Sequence, residues 1–176
     1  KRYGNHVQWW VRVQRANSLV KLNDDSALDI LKKIKKEVKE RINHKPDGFA
    51  FHDSFLIDLM MLEGEFYAKN SDLENTYVAI NNIRNTKLRV DPKENLLGLS
   101  FLYQMLNDND KAYQYFNEVV NDWGISKVIR LTSQFIYASE AKNLRNDPRY
   151  IDLLKQCKLY DFWKDSPEIK KLEKEK

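Results

Sequence analysis

The residues from Leu96 to Val119 constrain the fold most, because they specify two short helices and the turn between them. Apolar and small residues recur at spacings of three and four on both sides of a polar break, Asn107-Asp108-Asn109-Asp110. Such spacing places the recurring side chains on one face of an α-helix. Either of the last two residues of the break can cap the second helix by accepting from its first-turn N–H groups. The stretch therefore predicts a helical hairpin.

A second copy of this pattern lies thirty-six residues upstream, since it begins at Met60 where the first begins at Leu96. The aligned pairs are Met60 with Leu96, Glu63 with Leu99, Gly64 with Ser100, Tyr67 with Tyr103, Thr76 with Ala112, Ile80 with Phe116 and Ile83 with Val119. Small residues near the middle of each helix allow the paired axes to approach. Repetition at a fixed period of this length is typical of stacked helical repeats.

These paired residues resemble the tetratricopeptide repeat, and the best matches are Glu-Gly-x-x-Tyr in one copy and Lys-Ala-x-x-x-Phe in the other. Glu63 stands where that repeat usually has Leu, and Thr76 stands where it usually has Ala. The proline expected after the second helix is missing in both copies. The resemblance implies an all-α fold in which antiparallel hairpins stack as a right-handed superhelix.

Few glycines and prolines, five and four, favour long helices joined by short connections. We predict about eight helices and no strand. They form one domain over residues 1–165, followed by a charged C-terminal helix or tail over 166–176. The predicted hairpins cover residues 5–43, 53–87, 92–122 and 126–158.

The first predicted helix carries an apolar face, which Trp10 extends. That face consists of Trp9, Val13, Ala16 and Val20. Two adjacent tryptophans are costly to expose, so we predict that they seal the end of the helix stack. The alternative is that they contact a region outside this chain.

The second predicted helix has an apolar face and a basic face. The apolar face consists of Ala27, Leu31, Ile34, Val38 and Ile42; the basic face has Lys32, Lys33, Lys35, Lys36, Lys39 and Arg41, relieved by Glu37 and Glu40. We favour a solvated face with local ion pairs over a phosphate-binding patch.

The segment over residues 146–163 brings a second resemblance. It starts with Asp147-Pro148-Arg149-Tyr150, continues with Leu153-Leu154 and ends in Phe162-Trp163. It is similar to the closing segment of bacterial tetratricopeptide domains fused to winged-helix DNA-binding regulators or signalling cyclases, although Lys158 stands where that pattern commonly has Gly. The similarity implies part of a larger bacterial regulatory or signalling protein. From the residues, we predict a capped helix with a core face that includes Cys157, followed by an aromatic clasp that folds back.

No combination of residues in the sequence indicates a catalytic or metal site. No two of His6, His44 and His52 share the spacing of four that places both rings on one helix face. A metal held by His44, His52 and Asp53 across a loop is disfavoured. Asp58, Glu63 and Glu65 share a helix, and we interpret them as surface charges. We therefore predict a non-enzymatic protein with no cofactor and no metal.

The composition, 42% hydrophobic and 32% charged over 176 residues, suits a soluble domain. No apolar run reaches the length of about 18 residues that a membrane span needs, so we predict no membrane insertion. Cys157 is predicted to be a buried structural thiol. The chain starts at Lys1, and we expect a processed form or a piece of a longer protein. The sequence does not decide the cellular compartment. The alternatives are the cytoplasm and, if the chain is a piece of a membrane-anchored regulator, the periplasm.

In the tetratricopeptide fold the first helix of each hairpin lines a concave face, and this geometry implies a partner-binding groove. The groove residues are Asp58, Met61, Glu65, Glu94, Leu97, Phe101 and Gln104. This apolar set with an acidic edge suits a protein or peptide with apolar and basic residues. It lacks the Lys and Asn clamp with which chaperone-binding relatives hold a terminal carboxylate. The alternative is that Leu97 and Phe101 are core.

The sequence leaves two other functions open. One is nucleic-acid binding by the basic helix 31–42 and the tail 170–176; it is allowed by a formal charge of +4 and disfavoured by interleaved glutamates and few arginines. The other is a structural adaptor or homodimer with Trp9 and Trp10 in its interface.

Overall fold

The structure is a computed structural model that describes residues 4–44, 51–86, 93–123, 142–156 and 158–174, with side chains described over 10–40, 55–86, 95–121, 142–156 and 158–174. The helices in these residues are α1 Gly4–Lys21, α2 Ser26–His44, α3 Phe51–Lys69, α4 Leu73–Asn85, α5 Lys93–Met105, α6 Asn109–Trp123, α7 Lys142–Arg145, α8 Arg149–Gln156, α9 Tyr160–Trp163 and α10 Pro167–Lys174. The described residues include no strand, which confirms the all-α class. Residues 126–141, the first part of the predicted hairpin over 126–158, lie outside them, as does Cys157.

The chain forms two compact units, Lys1–Leu102 and Tyr103–Lys176. In the first unit α3 is central, because it packs against α1, α2 and α4, while α1 also packs against α2. The α1–α2 and α3–α4 pairs match the first two predicted hairpins. Val13, Ala16 and Val20 of α1 are buried, as their spacing predicts.

Gly64 lies where three helices of the first unit meet. A Cβ atom placed on it would lie 2.9 Å from the side-chain methyl groups of Leu102 in α5 and 3.3 Å from Cβ of Ala79 in α4. The Leu102 side chain can move, but Ala79 can give way only if α4 shifts. Glycine at this position is therefore what lets the helices approach so closely.

We expect Gly64→Leu to lower the free energy of unfolding by about 1–3 kcal/mol, because the added side chain overpacks this contact. Gly64→Ala should have a smaller effect of the same sign. Chemical denaturation of both variants and the parent measures the difference. Equal midpoints for Gly64→Leu and the parent would contradict the close approach.

In the second unit, α6 packs against α7, and α8 packs against both α9 and α10. Phe116 of α6 and Leu144 of α7 are fully buried, as is Leu154 of α8. The charged C-terminal segment forms α10, whose Ile169 and Leu172 are buried. Its amphipathic pattern, with lysines and glutamates outward, explains how so charged a segment folds against the unit.

Four turns share one backbone geometry. Each has a residue in the left-handed region, namely Asn23, Ser71, Asn107 and Lys158, with φ of 57°, 57°, 60° and 56°. In each, the next N–H donates to the carbonyl five residues back, at 2.8 to 2.9 Å. This pattern is the Schellman motif, which ends a helix by satisfying its last carbonyls. Ser71 and Asn107 are thirty-six residues apart, so the motif repeats with the period of the sequence pattern.

An aspartate follows the left-handed residue in three of these turns and caps the next helix. Asp72 accepts from the N–H of Asn75 at 3.1 Å, and Asp108 accepts from the N–H of Lys111 at 3.1 Å. The Lys111 ammonium also donates to Asp108 at 2.8 Å, and this hydrogen bond holds the pKa of Asp108 below its ordinary value. The cap of α6 is therefore Asp108, and the prediction that Asn109 or Asp110 caps it was wrong.

We expect Lys158→Gly to raise the free energy of unfolding by about 0.5–1 kcal/mol, because glycine adopts a positive φ without the steric cost that a lysine carries. Lys155→Gly in α8 is the matched control, and it should destabilise by a similar amount because glycine is a poor helix residue. Thermal unfolding of the two variants distinguishes the positions. Destabilisation by both would contradict the left-handed conformation at Lys158.

Candidate interaction surfaces

The seven predicted groove residues occupy different environments. Asp58 is exposed, Met61 and Leu97 are half-buried, and Glu65, Phe101 and Gln104 are buried. The side chain of Glu94 lies outside the described residues. Of the two interpretations left open for Phe101, the structure places it in the core.

Gln104 shows most directly that part of the predicted set is interior. Its side chain is fully buried, and neither Oε1 nor Nε2 has a hydrogen-bond partner among the described residues. A side chain that lines an open groove would be solvated. Gln104 is therefore not an exposed contact for a partner in this structure.

Two carboxylates of α3 are also interior, so the interpretation of Glu63 and Glu65 as surface charges was wrong. Glu63 is buried and forms an ion pair with Lys35 of α2, whose ammonium contacts both carboxylate oxygens. This pair explains how a glutamate occupies a buried position of α3. The carboxylate is accommodated because a lysine of the neighbouring hairpin neutralises it.

Glu65 is held by two lysines. Its Oε1 lies 2.8 Å from Nζ of Lys21 at the end of α1 and 3.1 Å from Nζ of Lys69, one turn further along α3. The Lys21 ammonium also lies 5.9 Å from the centroid of the Phe101 ring. Glu65 and Phe101 therefore connect α1, α3 and α5 within the first unit.

What remains exposed of the predicted groove in the first unit is a smaller surface, the acidic-apolar patch, which consists of Asp58, Met61 and Leu97. Asp58 and Met61 are one turn apart on α3. Met61 lies against Gly98 of α5, since a Cβ atom on that glycine would be 2.4 Å from its Sδ. Gly98 therefore lets α5 approach α3 at Met61. The patch joins a carboxylate to two apolar side chains.

The basic face of α2 divides into two parts. Lys35 reaches back to Glu63, whereas Lys32, Lys33, Lys36 and Lys39 are exposed and have no ion pair among the described residues. Of these four, Lys32, Lys36 and Lys39 form the α2 lysine stripe, since their spacings of three and four place them along one side of the helix. Beside the stripe, Glu37 pairs with Arg12 of α1 at 2.7 Å. The predicted solvated face of α2 is present, and one of its lysines, Lys35, forms the ion pair with Glu63.

Apart from Leu22, the exposed large apolar side chains among the described residues of the first unit form two groups. One is the α4 patch, Leu73, Tyr77 and Val78, which sequence reasoning missed because these residues lie beside the buried face of the helix. The spacing of four between Leu73 and Tyr77 was the available signal. The other is on α1, where Trp10 and Val11 are 54% and 60% exposed. Trp10 does not extend the buried face, so the predicted sealing role fails for it, and the side chain of Trp9 lies outside the described residues.

In the second unit, the Asp-Pro-Arg sequence forms a clamp. Arg149 donates to Asp147 from Nε at 2.8 Å and from Nη2 at 2.6 Å, and it donates to Asp110 from Nη1 at 2.8 Å. Its guanidinium lies 4.5 Å from the centroid of the Tyr113 ring, and the Tyr113 hydroxyl donates to the carbonyl of Leu144 at 3.0 Å. Arg149 thus fixes the start of α8 against the start of α6. The role of this segment is structural.

The clamp makes a pH-dependent contribution to stability. Hydrogen bonds from Arg149 lower the pKa of Asp147. A carboxyl group with a lowered folded-state pKa stabilises the fold above its unfolded pKa of about 3.9, and this contribution is lost as the pH falls through the folded pKa.

We expect Asp147→Asn to lower the free energy of unfolding by about 1–2 kcal/mol at pH 7, because charge-assisted hydrogen bonds to Arg149 are lost. The difference from the parent should shrink as the pH falls through the lowered pKa of Asp147, because the carboxyl group is then protonated and loses its charge. Urea denaturation from pH 7 to pH 2.5 measures it. Asp161→Asn is the control, because its exposed pair with Lys164 contributes little. A difference that persists in acid would show that the charge of Asp147 is not its cause.

The described residues hold no group of three or more His, Cys, Asp or Glu side chains arranged to bind a metal ion. Within the same part of the chain, no helix has both the length and the apolar character that a membrane crossing requires. No protein-family model, curated protein or solved structure matches the chain. The tetratricopeptide resemblance and the groove therefore stay predictions.

Proposed function

We propose that this chain is a non-enzymatic helical-repeat domain that binds a protein or peptide partner, as the scaffold or sensory part of a larger bacterial regulatory or signalling protein. The observation that carries the proposal is the repeated turn at Ser71-Asp72 and Asn107-Asp108, a left-handed residue followed by a capping aspartate thirty-six residues apart. A repeat of this kind supports stacked hairpins, and stacked hairpins offer extended surfaces for partners.

The acidic-apolar patch is the proposed contact surface. Asp58 supplies an exposed carboxylate, Met61 supplies a half-buried apolar side chain one turn along α3, and Leu97 of α5 supplies another. A partner segment with apolar and basic residues complements both, since its apolar side chains gain burial and its cations gain a counter-charge. Met61 adapts to different partners because its unbranched chain takes many shapes.

The test is selection of binders from a random displayed-peptide library against the full chain. We expect the selected peptides to combine Lys or Arg with large apolar residues, and to lose binding to Asp58→Arg/Leu97→Gln. The matched control is Glu74→Arg/Val78→Gln, which likewise replaces an acidic residue by Arg and an aliphatic residue by Gln, at exposed positions of α4. It should bind like the parent. Variants that lack Glu65 or Phe101 are unsuitable, because both residues are interior.

Two results would show that the acidic-apolar patch is not the contact surface. If Glu74→Arg/Val78→Gln loses binding and Asp58→Arg/Leu97→Gln keeps it, the partner binds the α4 patch. If selected peptides carry no basic residues and bind both variants equally, the acidic-apolar patch is not the site. Circular dichroism of each variant establishes that lost binding does not reflect unfolding.

A second candidate function is binding of nucleic acid by the α2 lysine stripe. Three exposed lysines without ion pairs among the described residues favour it, but Asp29 and Glu40 lie on the same exposed side of α2. Phosphate binding of this kind weakens steeply with salt. Retention on immobilised duplex DNA that falls with salt and is lost in Lys32→Gln/Lys36→Gln/Lys39→Gln would support this function. Lys35 must stay unchanged, because it is part of the buried pair.

A further inference from the structure

The exposed side of α4 combines apolar side chains with very few charges. The buried residues of this helix are Thr76, Ala79, Ile80 and Ile83. The α4 patch, Leu73, Tyr77 and Val78, is exposed beside them. From residue 75 to residue 83 the helix has no charged residue, although 32% of the chain is charged. Exposed apolar residues that include Tyr and lack charged neighbours are typical of the centre of a protein–protein interface.

Four exposed residues form a line along α4, which we call the α4 seam. Its members are Glu74, Tyr77, Asn81 and Arg84. Their spacings of three, four and three are those of side chains that face a second helix in a coiled coil. The seam has an acid near the start of the helix and a base near its end, about 15 Å apart along the axis. Leu73 and Val78 flank the seam, one on each side.

The two charges of the seam are open to a partner. Glu74 and Arg84 are exposed, and neither has an ion pair among the described residues. Each has a local role, since a carboxylate in the first turn and a cation in the last turn of a helix interact favourably with its dipole. Two opposite charges at the ends of an uncharged stretch also make the seam complementary to the same seam in the reverse direction.

We propose that α4 is a self-association surface, on which a second copy of this chain docks its own α4 in the antiparallel direction. About a two-fold axis at the middle of the seam, Glu74 faces Arg84 of the second copy, and Tyr77 faces Asn81 of the second copy. Each contact occurs twice, because a two-fold interface uses the same surface on both copies. A parallel pairing would place like charges together, which disfavours it.

A second copy fits the seam better than a charged partner does. A nucleic acid or an acidic peptide is repelled by Glu74, and a basic peptide is repelled by Arg84. The reversed seam supplies both counter-charges at once, and it covers the apolar side chains of Leu73 and Val78.

The length of the helix limits the strength of this dimer. With 13 residues, α4 is about 20 Å long. One helix pair of this length falls short of the roughly 800 Å² that each partner buries in a stable complex. The dimer is therefore weak, and we expect it to form between about 10 µM and about 1 mM.

This inference goes beyond the proposed partner binding, because it uses α4 and not the acidic-apolar patch. Sedimentation of the chain alone tests it without any peptide. A failed peptide selection therefore leaves it in place, and a monomeric chain leaves the acidic-apolar patch in place.

The test is sedimentation equilibrium of the full chain at low ionic strength, up to about 1 mM, where even millimolar association is visible. We expect a reversible monomer–dimer equilibrium. Leu73→Gln/Val78→Gln should weaken it at least about tenfold, because the apolar flanks of the seam are lost. The matched control is Trp10→Gln/Val11→Gln, which changes two exposed apolar residues of α1 and should associate like the parent.

Charge reversal tests the antiparallel direction. Glu74→Arg alone and Arg84→Glu alone should each weaken the dimer at least about tenfold, because each places like charges together at both ends of the interface. An equal mixture of the two variants should associate like the parent, since every acid then meets a base. Helix destabilisation by either substitution would not be reversed by mixing. Glu118→Arg and Lys33→Glu, at exposed positions outside α4, are the controls and should associate like the parent.

Three results would each overturn the proposal. The first is a parent chain that stays monomeric up to about 1 mM. The second is a dimer that survives Leu73→Gln/Val78→Gln, and its loss in Trp10→Gln/Val11→Gln would place the interface on α1 instead. The third is a mixture of Glu74→Arg and Arg84→Glu that associates no better than either variant alone. Circular dichroism of each variant establishes that a lost dimer does not reflect unfolding.

Discussion

Phe101→Ala is expected to lower the free energy of unfolding by about 3–5 kcal/mol, because it removes a large aromatic side chain from a packed interior and leaves a cavity. Phe101 is 8% exposed and belongs to the first unit, where the Lys21 ammonium lies 5.9 Å from its ring centroid. Denaturation with urea, followed by circular dichroism, measures the effect.

Phe162→Ala is the matched control, because it makes the same chemical change at a side chain that is 80% exposed. It should change stability by less than about 0.5 kcal/mol. A Phe101→Ala protein as stable as the parent would place the residue in the groove after all. The contrast between the two variants therefore tests the buried position of Phe101.

Lys35→Met is expected to lower the free energy of unfolding by about 2–4 kcal/mol, because it leaves the buried carboxylate of Glu63 without its counter-charge. The side chain of Glu63 is 8% exposed and that of Lys35 is 23% exposed, so water compensates for part of the loss. Lys36→Met, at the exposed neighbouring position, should change stability by less than about 0.5 kcal/mol.

The double variant Lys35→Met/Glu63→Leu completes the test. Replacing a buried ion pair by apolar residues of similar size is often neutral or stabilising, so we expect stability within about 1 kcal/mol of the parent or above it. Leucine is also the residue that the tetratricopeptide repeat usually has at this position. A double variant as unstable as Lys35→Met alone would show that the loss comes from packing and not from the unpaired charge.

The α1–α2 and α3–α4 hairpins were predictable from local spacing alone. Val13, Ala16 and Val20 are buried because their spacing places them on one face, and the two copies from Met60 and Leu96 align residue by residue. Thr76 is tolerated at an alanine position because its hydroxyl donates to the carbonyl of Asp72 at 2.7 Å. Such contacts join residues a few positions apart, so they can be predicted from the local sequence.

The partner surface was less predictable, because it depends on residues far apart in the chain. A glutamate on a helix looks the same in the sequence whether it is solvated or buried. The partner that allows Glu63 to be buried is Lys35, twenty-eight residues away in another hairpin. Trp10 is exposed where the spacing predicts a buried face, and Phe101 is buried, which is one of the two interpretations left open for it. Neighbouring helices decide which side of a helix stays open, and spacing within one helix does not contain that information.

The buried carboxylates of Glu63 and Glu65 in α3 also specify that the α1–α2 hairpin packs beside the α3–α4 hairpin, and how far along the helix axis it is positioned. Helical hairpins resemble one another in shape, so apolar faces alone permit a neighbour to dock one turn too high or too low. A slip of α2 by one turn moves Lys35 about 5.4 Å along the axis and leaves Glu63 buried without a cation. Glu63 pairs with Lys35 of α2, and Glu65 pairs with Lys21 of α1. Each helix of the first hairpin therefore has an ion pair that forms only in one position relative to the second hairpin. We therefore expect the two glutamates to select one stacking order from several of similar apolar complementarity.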